Sequence, residues 1–231
     1  MSNSRSKMRF SGFLLEIFSI FLGVTIAFLV NHWNELRKER LTERKILTEL
    51  LNELKADKVD MALNLRGHNL GIRAIDIFER YCRGEEVSLD SAGVYFQRLY
   101  RDYITVMHTT AYDALKSRGV DVVRNEELRS QIVQLYDFNY EILLKLEEQY
   151  YPAQFHQNYF LILTDHFGKY LEFNDQSLKS LKSYDRPLDS KILVVFNEIR
   201  SWRSMLIDVY EKTIEEIERL EEQIKVELEG Q

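Results

Sequence analysis

Glycine and proline are scarce, nine and two among 231 residues, where average usage would give roughly 28 of the two together. So few turn-formers argue against sandwiches, barrels and glycine-rich nucleotide folds, and for long helices joined by few turns. The single cysteine, Cys82, excludes an internal disulfide and any multi-cysteine zinc site. Basic excess is missing as well: 31 Lys and Arg stand against 37 Asp and Glu, a net charge of −6, which speaks against a nucleic-acid partner. The strings H-E-x-x-H, G-x-G-x-x-G, Walker A and G-x-S-x-G do not occur. Neither do the repeated E-x-x-H signatures of a di-metal bundle. His32, His68, His108, His156 and His166 include no pair spaced four apart. Asp165 and His166 are adjacent, so on a helix they point about 100° apart and cannot pair. These histidines and Cys82 read as core or surface residues, and no catalytic residue, cofactor or metal is expected. At 45% hydrophobic and 29% charged, the chain is not broadly disordered.

What is present, first of all, is a long apolar run. From Phe10 to Val30 the only ionisable residue is Glu16. Phe13–Val30 makes a helix of about 27 Å and Phe10–Trp33 one of about 36 Å, lengths that bracket a hydrocarbon core of about 30 Å. Trp33 falls where interfacial aromatics collect. The division is therefore a basic tail at 1–9 (Arg5, Lys7, Arg9), a transmembrane anchor at 10–33 and a helical domain at 34–231. A cleaved signal peptide is the alternative. The run is longer than a usual h-region, however, and continues into Asn34-Glu35-Leu36-Arg37-Lys38-Glu39 without a small-residue cleavage site. Bases near the two ends point in opposite directions; the orientation adopted places the N-terminus in the cytoplasm and the large domain outside. The lone Cys82 suits either compartment.

Gly12, Glu16, Ser19, Gly23, Ala27 and Asn31 recur three or four residues apart, on one side of a helix. Small residues let helices approach closely in lipid, and polar ones hydrogen-bond across the contact. This face reads as the seam of a homo-oligomer with Glu16 inside it. The competing reading is that Glu16 snorkels to a nearby interface, since a carboxylate costs less at the edge than the roughly 2.5–3.5 kcal/mol of the bilayer centre.

The residues Glu16-Ile17, Gly23-Val24, Ala27 and Asn31-His32-Trp33-Asn34-Glu35-Leu36-Arg37-Lys38 form a pattern. A second patch runs Tyr112-Asp113-Ala114-Leu115-Lys116-Ser117-Arg118-Gly119, then Asn125, Leu128-Arg129 and Leu135-Tyr136. Together they resemble an uncharacterised bacterial family of single-pass membrane proteins, a domain-of-unknown-function group with a Glu-Ile-rich anchor and an Asn-x-Trp-Asn-Glu junction. The resemblance covers the first 50 residues and about 109–140, and His32 departs from the more usual Asn. It implies a bacterial inner-membrane protein with a helical region after the anchor, and transfers no catalytic residue.

Beyond the anchor the expectation is an all-α antiparallel bundle. The anchor helix runs on to about Leu65 through Leu47, Leu50, Leu51, Leu54 and Met61. Gly67 and Gly71 bracket a break, and a short helix follows at Ile72–Arg83, stopped by Gly84. Residues 89–118 are expected as helix with a break, although Tyr103-Ile104-Thr105-Val106-Met107 is β-branched enough for a strand. Gly119 suits a helix C-cap. Asn125 caps a new helix, with Glu126 and Glu127 in its first turn and Leu128, Ile132, Leu135, Ile142, Leu146 and Tyr150 on its apolar face. Pro152 ends that helix, another runs to about Phe167, and the polar residues 172–190 form a loop, with Pro187 in the first turn of the last helix. That helix, about 188–229, carries Ile192, Val195, Ile199, Trp202, Leu206 and Val209, then a seam shifted by one to Tyr210, Ile214, Ile217, Ile224 and Leu228. The pattern is coiled-coil-like with a stutter, its partner the juxtamembrane helix or another protomer.

Thirteen Tyr and thirteen Phe crowd most densely near Tyr136, Tyr140, Tyr151, Phe155 and Tyr159. They could line a pocket between helices, though such residues more often fill a core with their hydroxyls at its rim. The expected function is a membrane-anchored helical scaffold or sensor, with lipid, a second copy of itself and a protein as partners. The alternatives are an oligomeric pore using Glu16 and, behind it, an enzyme with an aromatic-lined pocket.

Overall fold

The computed structural model describes residues 4–88, 92–174, 177–185 and 189–230, with the side chains of all of these except 4–15, 17, 92, 174 and 177–180. Two helices set the architecture. α1 runs from Ser4 to Cys82, 79 residues without interruption, or about 118 Å. α7 (Ser190–Gly230) is the next longest at 41 residues. They lie antiparallel: Arg44 Nη1 donates to the carbonyl of Leu228 at one end, and Arg200 reaches Asp76 and Glu79 at the other. The partner of the coiled-coil-like stripe is thus the long N-terminal helix of the same chain. Around this pair pack α2 (Ala92–Tyr100), α3 (Thr110–Arg118), α4 (Glu126–Gln134), α5 (Glu141–Glu148) and α6 (Phe155–Phe167). One contiguous core, from Ile46 to Ile224, joins them. The all-helical bundle expected from the turn-poor composition is present.

Several boundaries moved, each for a physical reason. α1 does not break at Gly67 and Gly71. These glycines mark close approach instead: a Cβ at Gly67 would collide with the Tyr103 ring, and one at Gly71 with the Arg203 guanidinium. α4 and α5 are joined by a π-helical turn, Leu135–Tyr140. A π turn inserts one residue into the helical repeat, so the buried face shifts from the expected Ile142 and Leu146 to Leu143 and Glu147. In α7 the shift of the seam comes earlier than expected: Arg203 is buried where Trp202 was expected, Val209 is only partly covered, and Tyr210 is buried as expected. The polar stretch after Phe167 contains a two-stranded antiparallel hairpin, β1 (Leu171–Asn174) with β2 (Ser177–Leu181), and is not wholly loop. Pro187 lies outside the described residues. Other expectations match: Asn125 Oδ1 accepts from the Leu128 amide at 3.2 Å, Gly119 adopts φ +100°, and Pro152 sits in a 3₁₀ turn beyond the end of α5.

Residues 101–109, between α2 and α3, are neither helix nor sheet. Three of their amides nonetheless find carboxylate acceptors. Glu147 accepts from Thr105 N at 2.9 Å, Asp60 from Val106 N at 3.0 Å and Asp57 from His108 N at 2.9 Å. Glu53 then accepts from Ala111 N, at 3.0 Å to each oxygen, at the start of α3. Three amides of a β-prone segment are thereby engaged by side chains, leaving them unavailable to a pairing strand.

Candidate interaction surfaces and the buried polar core

The first candidate surface is the N-terminal part of α1. From Glu16 to Thr42 no described side chain is buried, whereas Glu43, Ile46, Leu47 and Leu50 enter the core. The helix therefore leaves the bundle as a rod of about 40 Å. On it Phe18, Ile20, Phe21, Leu22, Val24, Ile26, Phe28, Leu29 and Val30 are 47–69% exposed, and Trp33 is exposed beside them. The seam residues share this rod. A Cβ at Gly23 would meet nothing within 4 Å, and Glu16, Ser19, Ala27 and Asn31 are exposed. Ser19 donates to the Glu16 carbonyl at 3.1 Å and Asn31 to Glu35 at 3.1 Å. The side chain of Gly12's neighbourhood, and the start of the expected span at Phe10, lie outside the described side chains. Among the described residues no helix is long and apolar enough to cross a membrane. At the junction the Arg37 guanidinium stands 5.9 Å from the Trp33 ring centre.

Where the rod meets the bundle there is a cleft of about 430 Å³, lined by Lys38, Glu39, Thr42, Arg118, Asp121, Val122 and Arg124. The 3₁₀ turn Val120–Val122 and the end of α3 form its far wall. Arg124 Nη2 donates to Glu39 at 3.0 Å, and the Arg124 amide to Glu43 at 2.8 Å. Another cleft, about 490 Å³ and largely apolar, lies between α2, α6 and β1, with Val94, Phe160, Leu171, Phe173, Arg98 and Arg101 around it.

The aromatic residues singled out in the sequence divide between places. Tyr136 and Tyr140 are buried beside Asp57, which accepts the Tyr140 hydroxyl at 2.8 Å. Tyr136 stacks on Tyr112 with ring centres 4.4 Å apart. Phe155 and Tyr159 are buried elsewhere, with Phe155 4.0 Å beneath the Arg203 guanidinium. Tyr151 faces outward. None of the five lines either cleft.

The core holds a set of polar groups that the sequence reading passed over. Asp57, fully buried, accepts from Tyr140, from the His108 amide and from His108 Nδ1 at 2.7 Å. The hydrogen bond to Asp57 raises the His108 pKa above its ordinary value. Glu147 accepts from the Thr105 amide and hydroxyl and from the Tyr210 hydroxyl. Burial pushes its pKa up, against those donors. Arg203, also fully buried, donates to the carbonyls of Arg98, Leu99 and Arg101 at 3.0–3.3 Å, where α2 ends. It makes no ion pair among the described residues, although Asp102 lies near enough to act on its charge; the negative end of the α2 dipole accepts its hydrogen bonds. Its other contact is His68 Nδ1 at 3.1 Å. Burial, then the charge of Arg203, lower His68 to about 3, so the imidazole is neutral and accepts at Nδ1. Burial also lowers Arg203, to about 10, still charged at neutral pH. A signal for Asp57 was in the sequence, because it interrupts the stripe between Leu54 and Met61.

Among the described residues no group of three or more His, Cys, Asp or Glu could hold a metal ion. The geometry defines a class: an all-helical bundle carried on one end of a much longer helix. No family model, curated protein or solved structure matches the chain.

Proposed function

We propose that the protein is a membrane-anchored helical interaction protein, inserted through the N-terminal part of α1 and self-associating along the Gly12, Glu16, Ser19, Gly23, Ala27, Asn31 face. The observation that carries this reading is the bare apolar rod. Nine large apolar side chains between Phe18 and Val30 stand exposed on a helix that enters the core only from Glu43 onward. Burying such side chains is worth about 1.5–3 kcal/mol each. Leaving nine in water forfeits on the order of 10 kcal/mol, as much as the whole stability of a typical domain. An apolar solvent, lipid, removes that cost along the whole Phe18–Val30 stretch, and Trp33 marks where it would end. The similarity of the anchor and junction to a bacterial single-pass family agrees with this reading and with an inner membrane, and the short basic tail of Arg5, Lys7 and Arg9 favours a cytoplasmic N-terminus with the bundle outside. The bundle then offers its surface to protein partners.

Two measurements test the proposal. The full-length chain should stay with membranes through alkaline carbonate extraction; release into the supernatant would overturn anchoring. In mild detergent, crosslinking should give a defined oligomer that Gly23→Leu weakens, and a monomer at every concentration would overturn the seam.

A further inference from the structure

We propose that the cleft at the base of the rod binds the phosphate of an anionic lipid headgroup, with Lys38 and Arg118 as its two cationic ligands. The proposal rests on membrane anchoring through α1 and adds to it a specific lipid class and site.

Position comes first. Lys38 is five residues beyond Trp33, about 7.5 Å along the helix. The headgroup zone extends roughly 5–7.5 Å beyond each face of the hydrocarbon. A helix that ends its apolar stretch at Trp33 thus brings Lys38, and with it the membrane-side mouth of the cleft, to the outer edge of the headgroup zone, where a lysine side chain reaches the lipid phosphates. No other element has to move, because α1 is continuous from the rod into the bundle.

Charge comes second. The cleft has three cations, Lys38, Arg118 and Arg124, and two carboxylates, Glu39 and Asp121. Arg124 and Glu39 neutralise each other at 3.0 Å. Lys38 Nζ and the Arg118 guanidinium have no hydrogen-bond or ion-pair partner among the described residues, and they come from different elements, α1 and the end of α3. Two uncommitted cations facing one cleft of about 430 Å³ suit a phosphate monoanion, which takes a point charge from lysine and a forked donor from arginine. Asp121 is the remaining carboxylate, so the cleft keeps a single net positive charge. That favours a phosphodiester with one negative charge over more highly charged groups. Val122, apolar and in the same wall, suits the glycerol end of a lipid.

The test uses the full-length chain carrying Trp202→Phe, so that Trp33 is the one fluorophore of its kind. It is reconstituted in bilayers in which either the anionic or the zwitterionic phospholipid is brominated near the carbonyl end of its chains. Each basic side chain at an anionic surface is worth about fivefold. Brominated anionic lipid should therefore quench Trp33 with a preference of up to roughly 25-fold in relative association. Lys38→Gln and Arg118→Gln should each lower the preference about fivefold, and Arg40→Gln, an exposed cation of the same helix outside the cleft, should leave it in place. Equal quenching by the two lipids overturns the headgroup site while leaving anchoring intact. Absence of quenching by either overturns anchoring, and this proposal with it. An Arg40→Gln effect as large as that of Lys38→Gln assigns the preference to diffuse surface charge and overturns the cleft. Loss of the preference in inorganic phosphate, but not in chloride of equal ionic strength, assigns the cleft to free phosphate and overturns the lipid as its source.

Discussion

Arg203 brings a full charge into the core and donates to neutral backbone carbonyls rather than to a carboxylate. Its replacement by Met should leave the carbonyls of Arg98, Leu99 and Arg101 without that donor, at about 1–3 kcal/mol each where no other is found. Chemical denaturation in mild detergent should show a loss of about 3 kcal/mol or more. Two histidines give opposite pH responses. The pKa of His68 is depressed by the fold, so its contribution is complete above about pH 6.5 and is lost as the pH falls towards 3. His68→Asn keeps an acceptor for Arg203 and does not titrate. It should flatten the fall in urea midpoint between pH 7 and pH 5, and an unchanged slope would count against a neutral His68. The pKa of His108 is raised by Asp57, so its contribution is complete below about pH 6.5 and is lost as the pH rises through the folded value. His108→Asn should therefore cost most on the acid side. At this scale the sequence was least legible. A polar residue inside an apolar stripe, as at Asp57, marks a buried group, but its partners lie 51 and 83 positions away and have no local signature.

Elements were easier to read, because apolar spacing and caps are local. The Asn125 cap, the stop after Cys82 and the long last helix follow from neighbouring residues. The π turn does not, since the apolar spacing favours the register of Ile142 and Leu146, whereas the one observed turns Glu147 inward to the distant Thr105 and Tyr210. Deleting Phe138, an exposed residue of that turn, should restore an α-helical repeat with Leu143 and Glu147 still inward. Cooperative thermal unfolding should survive, and its loss would mean that the widened turn is itself required. The extended segment was ambiguous for a related reason. Its β-branched composition is strand-like, yet its donors go to side chains of α1 and α5, which no propensity encodes. Asp60→Ala should speed amide exchange at Val106 while Thr105, bonded to Glu147, stays protected. Equal exchange at both would show that the carboxylates do not act one by one.

For the molecule as a whole, composition alone announced helices, and the core bears this out from Ile46 onward. What the apolar run at the amino end packs against was not decided by the bundle, which leaves it bare. Because no described side chain before Glu43 is buried, a chain starting at Asn34 should unfold at the temperature of the full-length protein; a large drop in circular-dichroism midpoint would show that the rod supports the core. The missing hinge in α1 has a mechanical result. With no proline or bend between Trp33 and Cys82, the stretch is a stiff strut of about 74 Å. Under the proposed anchoring, a leaning anchor would carry the far end of the bundle with it, by about 13 Å for every 10°. Bilayer thickness, through its grip on helix tilt, would then set where the distal aromatic cleft is held above the lipid surface.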